Sequence, residues 1–183
     1  MFRKNERSIS LRNDILKRFI GLLMTDDEKA EMFSLPEGCR IREGAKILSP
    51  EKFKCGKYVW IGENAMLDAS GGLEIGDHTS IGLGVLVWSH TSHLANLSMN
   101  NVIGSPLIIR KPTKIGSGCL IGGPSVIQAG VTIGDKVIVL PMSAVTKDVP
   151  DYTIVAGAPA VEKDKISEEW CKIRKHKDFV NRV

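Results

Sequence analysis

"IGSGCLIGGPSVIQAGVTIGDKVIVLPMSAVTKDVP", residues 115–150, decides the fold. It divides into six hexads, which begin at Ile115, Ile121, Ile127, Ile133, Val139 and Val145. The fifth place of each is small or β-branched: Cys119, Ser125, Val131, Val137, Ser143 and Val149. One aliphatic residue every six positions fits neither the 3.6-residue helical period nor the two-residue period of a plain strand. Upstream, "IGENAM" from Ile61, "IGDHTS" from Ile75 and "IGLGVL" from Ile81 keep the rule, with Ala65, Thr79 and Val85 in fifth place. Ile41 and Ile47 are also six apart, in less regular hexads.

Such a period makes each hexad one short strand and one turn, with three hexads closing a triangular coil of about 18 residues. The aliphatic residue points into the prism, and the small fifth residue fits where two walls converge. The expected fold is therefore an all-β solenoid, a parallel β-helix over residues 39–162. Coils stack only on neighbours, so the ends need covers. The stretch "LRNDILKRFIGLLMTDDEKAEMF" has near-helical apolar spacing and predicts an N-terminal helical cap within residues 1–38. The stretch "KISEEWCKIRKHKDF" predicts a C-terminal helix within 163–183.

Slips in the beat locate the loops. Ile61 to Ile75 exceeds two hexads by a pair, placed at Gly71-Gly72. Ile103 and Ile109 are in register with Ile115, so the larger slip falls between Val87 and Ile103, one rung with ten residues over. That predicts a protruding loop at about 88–102, "WSHTSHLANLSMNNV", which carries His90 and His93. Loops that leave a rigid scaffold tend to carry function.

The bulk composition narrows the setting. The chain has 183 residues, 18 of them Gly, with 5% aromatics, which suits a thin core with many turns. A net charge of +4 is compatible with a phosphate-bearing ligand and gives no reason to expect nucleic acid. Cys39, Cys55, Cys119 and Cys171 form no CxxC pair and read as reduced structural residues. No run of apolar residues is long enough to span a bilayer. The N-terminal stretch lacks the features of a secretory leader, so a cytoplasmic location is expected.

On "DASGGLEIGDHTSIG" (68–82), "WSHTSH" (88–93) and "IGGPSVIQAGVTIGDKVIVLPMSAVTKDVPDYTIVAGAPA" (121–160), the chain resembles the left-handed β-helix acyltransferases. Within them it is most similar to the galactoside, maltose, streptogramin and polysaccharide O-acetyltransferases. The left hand of the coil is implied by this resemblance alone. So are a homotrimer with its site between subunits, acetyl-CoA as co-substrate, and His90 as general base. His93 is implied in a supporting role. The same matching implies acetyl-CoA contacts at Gly122, Gly123, Pro141, Thr146, Lys147 and, beyond "GAPA", Lys163. Pro141 has no N–H to offer where the family has a backbone donor. Leu120 and Leu140 also depart from the family pattern. Trp88, Ser89 and Asn96, in the loop, are the expected acceptor contacts.

The chemistry suits one well-placed base. A sugar hydroxyl is a poor nucleophile and a thioester is already activated, so direct transfer needs a group to take the hydroxyl proton. The expected reaction is acetyl transfer to a sugar hydroxyl, on a cell-surface polysaccharide or its precursor. Transfer to an amino sugar is the nearest alternative. A non-catalytic trimeric scaffold is another. A zinc enzyme like the γ-type carbonic anhydrases, using His78, His90 and His93, is a third, though their spacing does not match that family.

Overall fold

A computed structural model describes residues 5–102, 104–167 and 169. Two helices come first, α1 (Glu6–Ile20) and α2 (Asp26–Met32). Asn5 caps α1 through its side chain on the Ser8 N–H. Thr25 and Glu28 form a reciprocal capping box that starts α2. Ala30 of α2 is buried in the core, and Phe33 and Leu35 pack beside it, so α2 covers the open end of the first coil.

The chain then winds a three-walled prism. The first coil contributes β1 (Arg40–Ile41), β2 (Lys46–Leu48) and β3 (Phe53–Cys55). The second contributes β4 (Trp60–Ile61), β5 (Met66–Asp68) and β6 (Leu73–Ile75). The third begins with β7 (Ser80–Ile81) and β8 (Leu86–Val87). It then makes an excursion through β9 (His90–Thr91), α3 (His93–Leu97) and β10 (Ile109–Arg110) before closing with β11 (Thr113–Ile115). Three strands follow in the next coil: β12 (Leu120–Ile121), β13 (Val126–Ile127) and β14 (Thr132–Ile133). The last strands are β15 (Ile138–Val139), β16 (Ala144–Val145), β17 (Thr153–Ala156) and β18 (Val161–Lys165).

Parallel pairing puts the predicted aliphatics in file. Ile41, Ile61, Ile81, Ile121, Val139 and Val155 stack on the first wall. Ile47, Leu67, Val87, Ile127 and Val145 stack on the second. Cys55, Ile75, Ile115 and Ile133 stack on the third, with Val149 bridging to Ile133. Ile61, Leu67, Ile81, Ile121 and Ile127 are all 0% exposed. The fifth-place residues are buried as the hexads require, polar ones included. Thr79 donates to the Gly116 carbonyl and accepts from the Cys119 N–H, and Ser143 donates to the Leu140 carbonyl. Among the described residues, no buried side-chain polar atom lacks a partner.

Two boundaries differ from the sequence reading. The excursion returns to the prism at β11, so it runs from Trp88 to Pro112 and occupies a single corner between the second and third walls. Ile109 is no rung; it pairs antiparallel with Thr91 in a two-stranded ribbon. Ile103 lies outside the described residues. At the other end, Lys163–Lys165 belong to β18, which pairs antiparallel with β17 instead of starting a helix. Apart from Glu169, the expected helix beyond Ser167 also lies outside the described residues.

Ile121→Ala should therefore destabilise the protein by about 2–5 kcal/mol, the usual range for emptying a packed aliphatic site. Ile109→Ala, at a half-buried ribbon position, should cost clearly less. Urea unfolding midpoints check the pair, and equal losses would contradict the placing of Ile109 outside the prism.

Candidate active site

Residues added to a parallel coil must leave it at a corner, because the walls leave no room between rungs. Here the additions share the corner between the second and third walls. The first coil spends a 3-10 turn there (Pro50–Lys52), the second the pair Gly71-Gly72, and the third the whole excursion. Gly71 lies at the root of the excursion. A Cβ on it would meet the Ser89 carbonyl oxygen and the Lys111 N–H, two groups that bond each other at 2.8 Å. Thr113 ties the same root from inside. Its hydroxyl donates to the Trp88 carbonyl at 2.6 Å and accepts from the Gly130 N–H at 3.0 Å.

Asp68 closes the arrangement. Leu67 pairs with Val87, so the next residue on each strand, Asp68 and Trp88, lie side by side where the excursion departs. The Asp68 carboxylate is 1% exposed. One oxygen accepts from the Ser70 N–H at 3.0 Å. The other accepts from the Ser89 N–H at 2.9 Å and the Ser89 hydroxyl at 3.2 Å, and lies 2.6 Å from His90 Nδ1. Burial alone would push this carboxyl up. The hydrogen bonds from Ser89, Ser70 and His90 outweigh it and hold the carboxyl down at about 2.

An ionised Asp68 fixes the imidazole. A carboxylate can only accept, so His90 Nδ1 carries the hydrogen and donates it. Nε2 is then left with its lone pair. The Ser70 hydroxyl lies 3.2 Å from the same Nδ1, and Trp88 meets the ring edge-on with centroids 5.9 Å apart. The His90 side chain is 31% exposed, so it is anchored on one side and open on the other. A buried carboxylate behind a half-open imidazole can hold one tautomer and stabilise the imidazolium that forms on proton uptake.

The open side of His90 faces a groove of about 390 Å³. Trp88, Thr91, His93, Lys111, Gln128 and Thr146 line it, with Val126 and Ala144 on its floor. Of the sequence-predicted residues, the structure thus brings together Trp88, His90, His93 and Thr146. His93 is exposed at the start of α3, its Nδ1 3.0 Å from the Thr91 hydroxyl, and touches neither Asp68 nor His90 by hydrogen bond. Gly122, Gly123 and Pro141 lie at the other edge of the second wall, ahead of β13 and β16, where Pro141 packs against Gly122. Lys147 is exposed one residue beyond Thr146, and Lys163 is exposed on β18; neither lines the groove.

Ser89 needs correction. It was expected to touch the acceptor, but it is 0% exposed, and its hydroxyl is shared between Asp68 and the Gly71 N–H. It positions Asp68. Asn96 bonds Ser92 on α3 and does not line the groove. The three histidines of the zinc alternative do not converge, since His78 stacks on Tyr58 at the corner between the third and first walls. Sequence reasoning missed Asp68, Ser70 and Lys111. The signal for Asp68 was the coil length: a residue following the rung Leu67 must neighbour the residue following the rung Val87.

The depressed Asp68 value has a measurable consequence. Its hydrogen bonds stabilise the fold fully above the unfolded carboxyl's value of about 3.9 and are lost as pH falls through about 2. The stability gap between the protein and Asp68→Asn should therefore be constant above pH about 5 and shrink on acidification toward pH about 2. Urea melts across that range check it, and a gap that widened with acid would contradict the assignment.

Comparison with known proteins follows the same lines. The family profile described as a hexapeptide repeat of succinyl-transferase matches residues 112–140. WcaF of Escherichia coli K12, named for an acetyltransferase of colanic acid biosynthesis, is 33% identical over 121 residues, which is 66% of this chain. The chain spans 63% of the length of that relative. A hexapeptide-repeat acetyltransferase of Vibrio cholerae, solved with acetyl coenzyme A, superposes with a TM-score of 0.60 at 25% identity, covering 91% of this chain and 93% of its own. The fold is also that of AntD from Bacillus cereus, an N-acyltransferase solved with dTDP and 3-hydroxybutyryl-CoA. Its TM-score is 0.63 at 18% identity, with coverage of 86% of this chain and 98% of AntD. Repeat, fold and relatives agree: the chain carries the hexapeptide repeat and is similar in sequence and fold to hexapeptide-repeat acetyltransferases.

Proposed function

We propose that the protein is an acetyl-CoA-dependent O-acetyltransferase that acts on a sugar hydroxyl, with His90 as its general base. The observation that carries this reading is the 2.6 Å contact between His90 Nδ1 and the buried Asp68 carboxylate, at the wall of a groove shared with Thr146. His90 Nε2 takes the proton of the acceptor hydroxyl as its oxygen attacks the thioester carbonyl carbon. The tetrahedral intermediate collapses with loss of the C–S bond. The proton on Nε2 passes to the departing sulfur, giving the acetyl ester and free CoA thiol. No covalent enzyme intermediate is required.

The outer face of the second wall supports a path for the CoA arm. Val126 and Ala144 lead from the His90–Thr146 side of the groove toward the corner that holds Gly122, Gly123 and Pro141. Leu83, Leu120, Leu140 and Met142 remain exposed about that corner. They support a homotrimer in which a neighbouring chain completes the site, and light scattering should then give the mass of three chains. The acceptor class rests on the likeness to WcaF, whose name places it in colanic acid biosynthesis. That likeness supports a polysaccharide unit or its precursor as the acceptor. AntD, named an N-acyltransferase and also solved with dTDP-4-amino-4,6-dideoxyglucose and coenzyme A, favours the second reading, transfer to an amino sugar. The same base serves both, and the products differ: an ester is cleaved by hydroxylamine and an amide is not.

His90→Ala should lower kcat by at least about 100-fold, with KM for acetyl-CoA little changed, when thiol release is followed over a panel of glycan acceptors. Asp68→Asn should retain the fold and lose about 100- to 10,000-fold, because an amide no longer enforces the Nδ1–H tautomer. Near-full activity of His90→Ala would sink the mechanism.

A further inference from the structure

The whole chain carries a net charge of +4. Residues 1–24 alone hold six basic residues (Arg3, Lys4, Arg7, Arg12, Lys17 and Arg18) against Glu6 and Asp14, an excess of four. The segment that contains α1 is thus strongly basic for its length.

That segment is also where apolar side chains are most exposed. Ile9, Leu11, Ile15, Leu16, Phe19 and Ile20 share one half of the α1 surface at helical spacing, and each is at least 41% exposed. Leu22 and Leu23 extend the face and are 63% and 87% exposed. Lys17 and Arg7 lie on the opposite half. Arg12 lies within the apolar half, on a stem long enough to carry its guanidinium out to a polar boundary. Beneath the end of the helix, Ile15, Lys17, Phe19 and Leu22 border a cavity of about 310 Å³ against α2 and the first coil, with Lys29, Arg42 and Lys46 also in its lining. The prism thus supports α1 at its C-terminal end and leaves most of its apolar half uncovered.

We propose that α1 and the following Gly21–Leu23 turn dock the protein on an anionic lipid surface, with the helix lying in the plane of the interface. An amphipathic helix with basic residues and a wide apolar face has the chemistry of such a surface: the rings and aliphatic chains enter the acyl boundary while the cations meet phosphate headgroups. The helix does not cross the bilayer, for no described helix is long and apolar enough. The α1 face of a second copy is the poorer occupant. Two such faces in contact would bring together two segments that each carry an excess of four positive charges. An anionic surface turns the same charge into attraction. The inference does not depend on the reading of His90.

The test uses the full chain with vesicles of phosphatidylcholine alone and of phosphatidylcholine mixed with phosphatidylglycerol. Co-sedimentation should show binding to the mixed vesicles only, weakening as salt rises. The charge variant Arg7→Gln/Arg12→Gln/Lys17→Gln and the apolar variant Leu16→Gln/Phe19→Gln should each reduce binding by at least about tenfold. Both alter exposed positions, so their thermal unfolding should match that of the parent chain. Absence of binding to the mixed vesicles, equal binding to both vesicles, or unchanged binding by either variant overturns the proposal. So does a fall in assembly mass for Leu16→Gln/Phe19→Gln in light scattering without vesicle binding by the parent chain, which would assign the face to a second copy.

Discussion

Each rung of this prism has room for one inward aliphatic side chain and one small or β-branched residue beside it. Neighbouring strands on a wall lie about 4.8 Å apart, so an added residue cannot be absorbed within a wall. It has to leave at a corner. All the larger additions leave at the corner between the second and third walls, on three successive coils. That stacking gives a uniform scaffold one chemically distinct edge. The uniformity also supplies rigidity, since the Leu67–Val87 pairing that brings Asp68 beside the root of the excursion is an ordinary rung contact.

The electrostatics of the site follow from that placement. A carboxylate taken almost wholly out of solvent would ordinarily take up a proton. Asp68 is kept ionised because the backbone on either side of it, at Ser70 and Ser89, turns its N–H groups inward. Ser89 matters for this reason and not as a substrate contact. The negative charge then falls on one nitrogen of His90 and leaves the other toward the groove. Gly71 and Thr113 act one step further back. They let the two strands of the excursion approach the coil closely enough for Ser89 to reach Asp68.

The parts of this structure that were legible in the sequence are those governed by the six-residue period. Ile121, Ile127 and Ile133 could be placed in the core because no other common structure buries one residue in six. The same period misled at Ile109. Six is also a multiple of two, so a residue of the antiparallel ribbon falls in step with the hexads without belonging to them. His90 could be singled out by its polar loop and its family context, but Asp68 could not. Its partners are about one coil away, and a pattern that repeats along the chain carries no mark of what one coil places beside the next. The exposed apolar half of α1 was read only as a cap, since spacing shows that a face exists and not what covers it.

The central claim is that Asp68 holds His90 in the tautomer with hydrogen on Nδ1, leaving Nε2 free to take a proton. Nitrogen-15 chemical shifts of the imidazole, recorded at a pH where the ring is neutral, test this directly. The account predicts a protonated Nδ1 and an unprotonated Nε2 for His90, with the pattern lost or inverted in Asp68→Asn. A neutral His90 that carries its hydrogen on Nε2 would contradict it.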